Sequence, residues 1–341
     1  MVRIAIVRDL IDAMPKAELH VHLEGTLEPD LSFALAQKNR IELPYDSPEA
    51  LLRAYDFHDL PSFLATYYSA MNVLQDETDF FELTWRYLKK AHEQNIVYAE
   101  MFFDPQAHTS RGIAFDSVIC GIRRAQEAAV AELGVESQLI LCFLRDLSAD
   151  SAMQTLLQAL PYKRWLVGVG LDSDEKGNPP LKFAAVFARA RSEGFKLTMH
   201  CDVNQQNSLA HLGQAINDIR VDRIDHGINS LEDPVLCESI RERGIGLTIC
   251  PISNRFVVQD LTARQIRRML QLGMLATVNS DDPAYFRGYL NENLHALHEE
   301  GELSRDEIVQ LARNAFEISW IDAARRDQYM ERLRQHVERR A

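Results

Sequence analysis

A repeating alternation constrains this chain more than any other feature of it. Between residues 97 and 279, short apolar runs alternate with stretches of helical periodicity. The runs cover 97–103 (VYAEMFF), 138–144 (QLILCFL), 166–171 (LVGVGL), 196–201 (KLTMHC), 223–226 (RIDH), 245–250 (IGLTIC) and 275–279 (LATVN). Helical stretches over 113–133, 149–160, 181–193, 208–219, 234–243 and 262–272 separate them, and three stop at Gly194, Gly244 and Gly273. Glycine suits the left-handed turn that ends a helix. An earlier strand within 17–25 (AELHVHLEG) brings the count to eight. Strands that are apolar throughout are buried on both faces. Eight of them alternating with helices predict an α/β fold, a closed (β/α)8 barrel. An open doubly wound sheet is the alternative, but no GxGxxG or Walker-type loop is present to hold nucleotide phosphates.

Two additions to the bare barrel are expected. Residues 44–94 keep helical spacing without a convincing strand, so they read as a helical insertion after the first strand, placed to act as a lid. Its stripe of Phe57, Leu60, Phe63, Leu64, Tyr67, Tyr68, Met71 and Leu74 reads mostly as packing. Helices also follow the last strand. One domain over 1–341 is expected, because barrels of this size commonly form a single unit.

The net charge of −13 argues against nucleic acid or an anionic membrane as the main partner. No run of about 18 apolar residues occurs, so no membrane span is expected. The first 16 residues lack a signal-peptide core. Five scattered cysteines without a CxxC read as reduced thiols in a cytoplasmic protein. A homo-oligomer is left open.

Barrel chemistry sits at the C-terminal ends of the strands. Of eleven histidines, four fall at such ends: His20, His22, His200 and His226. His20 and His22 are two apart on a strand, so their imidazoles share a face. The last strand ends in Ser280-Asp281-Asp282-Pro283. Three imidazoles and a carboxylate (His20, His22, His200, Asp281) make a zinc site, one ion per subunit, with a position left for water. Zinc brings the pKa of that water towards ~7. His226 stands where it orients the resulting hydroxide. The other seven histidines, on helices or loops, are given no role.

With these residues placed, the chain resembles the adenosine/adenine deaminase family of the amidohydrolase superfamily. The likeness rests on ELHVHLEG at 18–25, GLDSDEKGNPPLKF at 170–183, RIDHG at 223–227, CPISN at 250–254 and VNSDDPAYF at 278–286, in that order. It is similar to the branch acting on free adenine-type bases. The resemblance implies His20, His22, His200 and Asp281 as zinc ligands, His226 beside the metal-bound water, and Asp282 on a purine ring nitrogen. Glu24 stands where nucleoside deaminases carry an aspartate that reaches the ribose, which disfavours adenosine and makes Glu24 a substrate-binding residue.

The family's fifth-strand motif is His-Ala-Gly-Glu, whereas this chain has His200-Cys201-Asp202-Val203. Valine moves no proton, so Asp202 is the expected proton donor. The resemblance also extends to relatives with an HCD motif that accept N6-substituted, cytokinin-type adenines. The implied reaction is therefore zinc-dependent conversion of adenine or an N6-alkyl adenine to hypoxanthine, releasing ammonia or an alkylamine. Adenosine deamination, hydrolysis of another amide or ester, and purine binding without catalysis are the alternatives.

Overall fold

The computed structural model describes residues 2–55, 57, 60–201 and 205–340, with the side chains of residues 2–5, 60 and 61 left out. An N-terminal helix α1 (Val2–Ala13) leads into β1 (Lys16–His22). The parallel strands that follow are β2 (Ile96–Phe103), β3 (Glu136–Leu144), β4 (Leu166–Asp172), β5 (Lys196–Leu197), β6 (His200–Cys201), β7 (Arg223–His226), β8 (Gly246–Ile249) and β9 (Leu275–Val278).

Strands β1 to β5 pair in chain order, and so do β6 to β9. β5 and β6 are one strand interrupted at Thr198 and Met199. Its backbone stays bridged on both sides, by Thr198 N donating to Val169 O (3.0 Å) and Asp225 N donating to Met199 O (2.9 Å). The other seam lies between β1 and the end of β9. There His22 N donates to Asp281 O (2.9 Å) and Asp281 N to His20 O (3.1 Å). The ring of eight strand positions is thus completed at Asp281, a residue singled out from sequence for its side chain.

The expected elements recur with small shifts. The strand expected at 196–201 is the one that breaks. The helix expected at 181–193 begins as a tight 3-10 turn, Pro180–Phe183, before the α-helix Ala184–Ser192. The stretch 208–219 starts as an α-helix and ends as a π-helical turn, Gln214–Ile219. Helix α1 had no counterpart in the sequence reading. Among the described residues no helix is long and apolar enough to cross a membrane.

The main core lies between strands and outer helices, where Leu19, Val21, Met101, Leu141 and Val169 are fully buried. Inside the ring, Phe102, Ile140 and Cys142 form a separate apolar plug that Trp320 closes from the C-terminal segment. Gly168 on β4 admits that indole, because a Cβ there would stand 2.6 Å from the Trp320 ring.

Between β1 and β2 the chain runs through α2 (Pro29–Asn39), α3 (Pro48–Ala54), α4 (Leu60–Ala70) and α5 (Glu77–Glu93). Proline opens α2 and α3, where a missing N–H costs nothing. At α5, Asp76 accepts from the N–H groups of Thr78 and Asp79, and Asp79 returns the bond to Asp76 N, a reciprocal cap. Phe63 and Tyr67 of α4 pack on Ile252, Tyr285 and Phe286 from the short helices Pro251–Val258 and Pro283–Phe286 that follow β8 and β9. This aromatic cluster roofs the C-terminal mouth of the ring.

Candidate metal centre and cleft

β1 ends at His22, and its alternation turns His20 and His22 inward. Strands β6, β7 and β9 deliver His200, His226 and Asp281 to the same mouth. His22 Nε2 stands 3.1 Å from His200 Nε2 and 3.4 Å from Asp281 Oδ1, and His20 Nε2 stands 3.1 Å from that same oxygen. Zinc ligands at about 2.0–2.1 Å in a tetrahedron stand roughly 3.3 Å apart, so these separations fit one small cation.

The protonation pattern fits as well. His22 Nδ1 faces Asp172 Oδ2 at 3.5 Å and His200 Nδ1 faces Asp225 Oδ2 at 3.6 Å. A proton on Nδ1 of each ring would face that carboxyl group and leave the Nε2 lone pair pointing inward, the tautomer a metal ligand needs. In those tautomers the two lone pairs and the carboxylate oxygen would repel one another without a cation among them. Burial pushes His20, His22 and His200 below their ordinary range, and neighbouring imidazoles add to the fall at His200. Burial would raise Asp281, yet His20, His226 and His22 together hold it well below the usual carboxylate range. Neutral imidazoles and an ionised carboxylate are the forms that bind zinc.

His20, His200, His226 and Asp281 also gather within 4.8 Å of one another. The two oxygens of Asp281 separate the roles. Oδ1 meets His20 and His22, whereas His226 Nε2 lies 3.9 Å from Oδ2. His226 therefore flanks the centre from the other side of the carboxylate. Both His226 (φ 59°) and Asp281 (φ 64°) hold left-handed backbone, as does Ser173 (φ 73°) at the rim. Strain of this kind, on the order of 1–3 kcal/mol per residue, persists where surrounding structure imposes it and gathers at working sites.

A cleft opens above the four residues. Phe63, Tyr67 and Tyr68 of α4 wall one side, so the aromatic stripe read mostly as packing also faces the cleft. Asp104, Asp172 and Asp282 wall the other, and among the described lining residues there is no lysine or arginine. Burial pushes Asp282 well above the usual range, helped by Asp281 and Asp172, and its Oδ1 has no hydrogen-bond partner. Asp172 is raised to about 7, mainly by burial.

Glu24 lies just past the end of β1. The strand stops at His22, and Glu24 enters a 3-10 turn, Glu24–Thr26. Its Oε1 accepts from Asp104 N (3.0 Å) and bonds His108 Nε2 (2.9 Å), while Oε2 is buried without a partner. Asp202 lies outside the described residues.

Sequence reasoning overlooked Asp104 and His108. Asp104-Pro105 closes β2 in the same Asp-Pro pattern as Asp282-Pro283 closes the last strand, and that parallel was the available signal. His108 gave none, because nothing in its helix announces Glu24 as a partner.

Known proteins match this chain over nearly its full length. A family model described as "Adenosine deaminase" matches residues 15–336. A curated adenine deaminase of Acinetobacter baylyi is 48% identical over 329 residues, covering 96% of this chain and 98% of its own. The crystal structure of an adenine deaminase from Arthrobacter aurescens superposes with a TM-score of 0.92 at 41% identity, covering 96% of this chain and all (100%) of that one. A Burkholderia ambifaria amidohydrolase solved with bound Zn shares the fold, with a TM-score of 0.89 at 24% identity and coverage of 98% and 95%.

Proposed function

Since the chain belongs to the adenosine deaminase family, we infer that it is a hydrolytic deaminase of 6-aminopurine bases that converts adenine and water to hypoxanthine and ammonia. The observation that carries the reading is the meeting of His20, His22, His200 and Asp281 beside a buried Asp282 whose Oδ1 has no hydrogen-bond partner. Those four residues would hold one zinc ion. When bound, zinc supplies a water acidified to near neutrality, the nucleophile that hydrolysis at C6 requires.

His226, on the Oδ2 side of Asp281, takes the proton released as water adds. Asp282, kept protonated by burial, donates to a ring nitrogen of the base. The buried Oε2 of Glu24 serves as acceptor for a ring N–H that a free base carries and a nucleoside has exchanged for ribose. Asp202 remains the proposed donor to the ring nitrogen beside C6. The domain is read as a single unit over 1–341, with 44–94 as its helical insertion. Five free cysteines suit a reducing compartment, so the cytoplasm is the proposed location.

The charge of the cleft bears on substrate size. A 5′-phosphate would meet Asp104, Asp172 and Asp282 with no cation among the described lining residues to receive it. Turnover is therefore expected for adenine and absent for AMP. Incubating zinc-loaded protein with adenine, N6-isopentenyladenine, adenosine and AMP, and separating hypoxanthine from inosine and IMP, tests this. Hypoxanthine from either base supports the reading, and release of isopentenylamine extends it to N6-substituted adenines. Tight purine binding with no turnover of any member would reject catalysis.

Gly25 offers a sharper test of Asp282. A Cβ on Gly25 would lie 2.1 Å from Asp282 Oδ1 and 2.7 Å from its Cα, so alanine there must displace the aspartate. Gly25→Ala is expected to lower kcat/KM for adenine by about 10- to 100-fold, the cost of leaving a buried polar group of the base without its partner. Zinc content should stay at one per chain. Unchanged kinetics would remove Asp282 from substrate recognition.

A further inference from the structure

The three imidazoles aimed at the centre differ in what stands behind them. His22 and His200 each face a carboxylate. His20 Nδ1 lies 3.9 Å from Asp225 Oδ1, too far for a direct bond, and meets the Thr248 hydroxyl at 2.9 Å instead. A hydroxyl donates as readily as it accepts. The tautomer of His20 is then set between Asp281 Oδ1, an acceptor 3.1 Å from Nε2, and whichever way the Thr248 hydroxyl points at Nδ1.

Asp225 determines the hydroxyl's direction. Thr248 Oγ1 donates to Asp225 Oδ1 at 2.9 Å and Thr198 Oγ1 donates to Oδ2 at 2.7 Å. The Arg223 guanidinium stands 3.9 Å from Oδ1 on the same side. Arg223, Asp225, Thr248 and Thr198 are all fully buried, so no solvent competes for these groups. Thr248 has one proton, and it is committed to Asp225. Towards His20 the hydroxyl can only accept.

We propose that Thr248 is a positioning residue that holds His20 in the Nδ1–H form, so that Nε2 presents its lone pair to the metal. The inference rests on reading His20 as a ligand and goes beyond it by naming what fixes the tautomer. The reversed tautomer would put a proton where the cation binds, and ligation would first require moving it. Outer partners of ligating histidines typically change metal affinity by 10–100-fold. Thr248 touches neither metal nor substrate, so its effect belongs in affinity before it appears in turnover.

The experiment compares Thr248→Val, which keeps the shape and removes the hydroxyl, with Thr248→Ser, which keeps the hydroxyl. Zinc dissociation constants are read by competition with a chelator, alongside His20→Ala. We expect about 10–100-fold weaker zinc binding for the valine variant and less than about threefold change for serine. Equal affinity for Val and wild type, or equal loss for Val and Ser, would overturn the proposal. If His20→Ala also binds zinc as wild type does, the ligand assignment itself fails, which is a distinguishable result. A measurement on unaltered protein stands independently of whether the valine variant folds. In zinc-loaded protein with 15N-histidine, His20 Nδ1 should carry a downfield, slowly exchanging proton. A bare Nδ1 overturns the proposal.

Discussion

Replacing His200 by alanine is expected to remove the bound metal and lower adenine turnover by at least about 10⁴-fold, the scale set when one member of a catalytic unit is deleted. The size of the loss follows from position. His200 Nε2 stands 3.1 Å from His22 Nε2, and its ring packs against His20 at 4.7 Å between centroids. Deleting it leaves two imidazoles and a carboxylate with an open side, and affinity falls with the lost ligand. Metal content by elemental analysis and hypoxanthine formation should fall together. Dialysis of unaltered protein against a chelator should reproduce the activity loss, and added zinc should reverse it. A His200→Ala variant with full metal content and full turnover would put the nucleophile somewhere else.

The second large effect concerns stability. Glu100→Gln is expected to lower the unfolding free energy by about 3–5 kcal/mol, the cost of stripping one partner from a buried ion pair. Glu100 of β2 and Arg223 of β7 form a charge-assisted hydrogen bond inside the ring, and both are fully buried. Glu100 also accepts from Tyr98 Oη (3.0 Å) and from Trp320 N, while Arg223 lies 4.1 Å from the Trp320 ring and donates to Leu19 O (3.1 Å). Glutamine keeps the shape and removes the nearer counter-charge, which leaves the guanidinium only Asp225 Oδ1, 3.9 Å away, in a medium of low dielectric. Pairing Glu100→Gln with Arg223→Met should recover part of the loss, because the guanidinium that lost its nearer partner is then removed as well. Urea midpoints of the four proteins measure this, and a single variant as stable as wild type would contradict it.

The two effects lie on the same inner column of side chains, and they differ in what was legible beforehand. His200 was found from its place at a strand end. The Glu100–Arg223 pair was not, since a glutamate amid an apolar run shows no partner until β2 and β7 face each other across the ring. Asp225 and Thr248 were missed for the same reason. Each is an ordinary strand residue, and its use depends on which way a distant hydroxyl sends its proton.

What the residues determined unaided was whatever repeats locally. The period of two placed His20 and His22 on one face, and the alternation of apolar runs with helical stretches set the order of strands and marked the ends that carry chemistry. Tertiary structure decided where a local pattern stops: β1 ends before Glu24, the fifth strand breaks at Thr198 and Met199, and the ring joins at the backbone of Asp281. Those outcomes depend on hydrogen bonds between residues separated by tens to hundreds of positions, as with Glu24 and His108 or His20 and Thr248. Short-range spacing carries no information about such pairs, because their energies exist only once the strands have met.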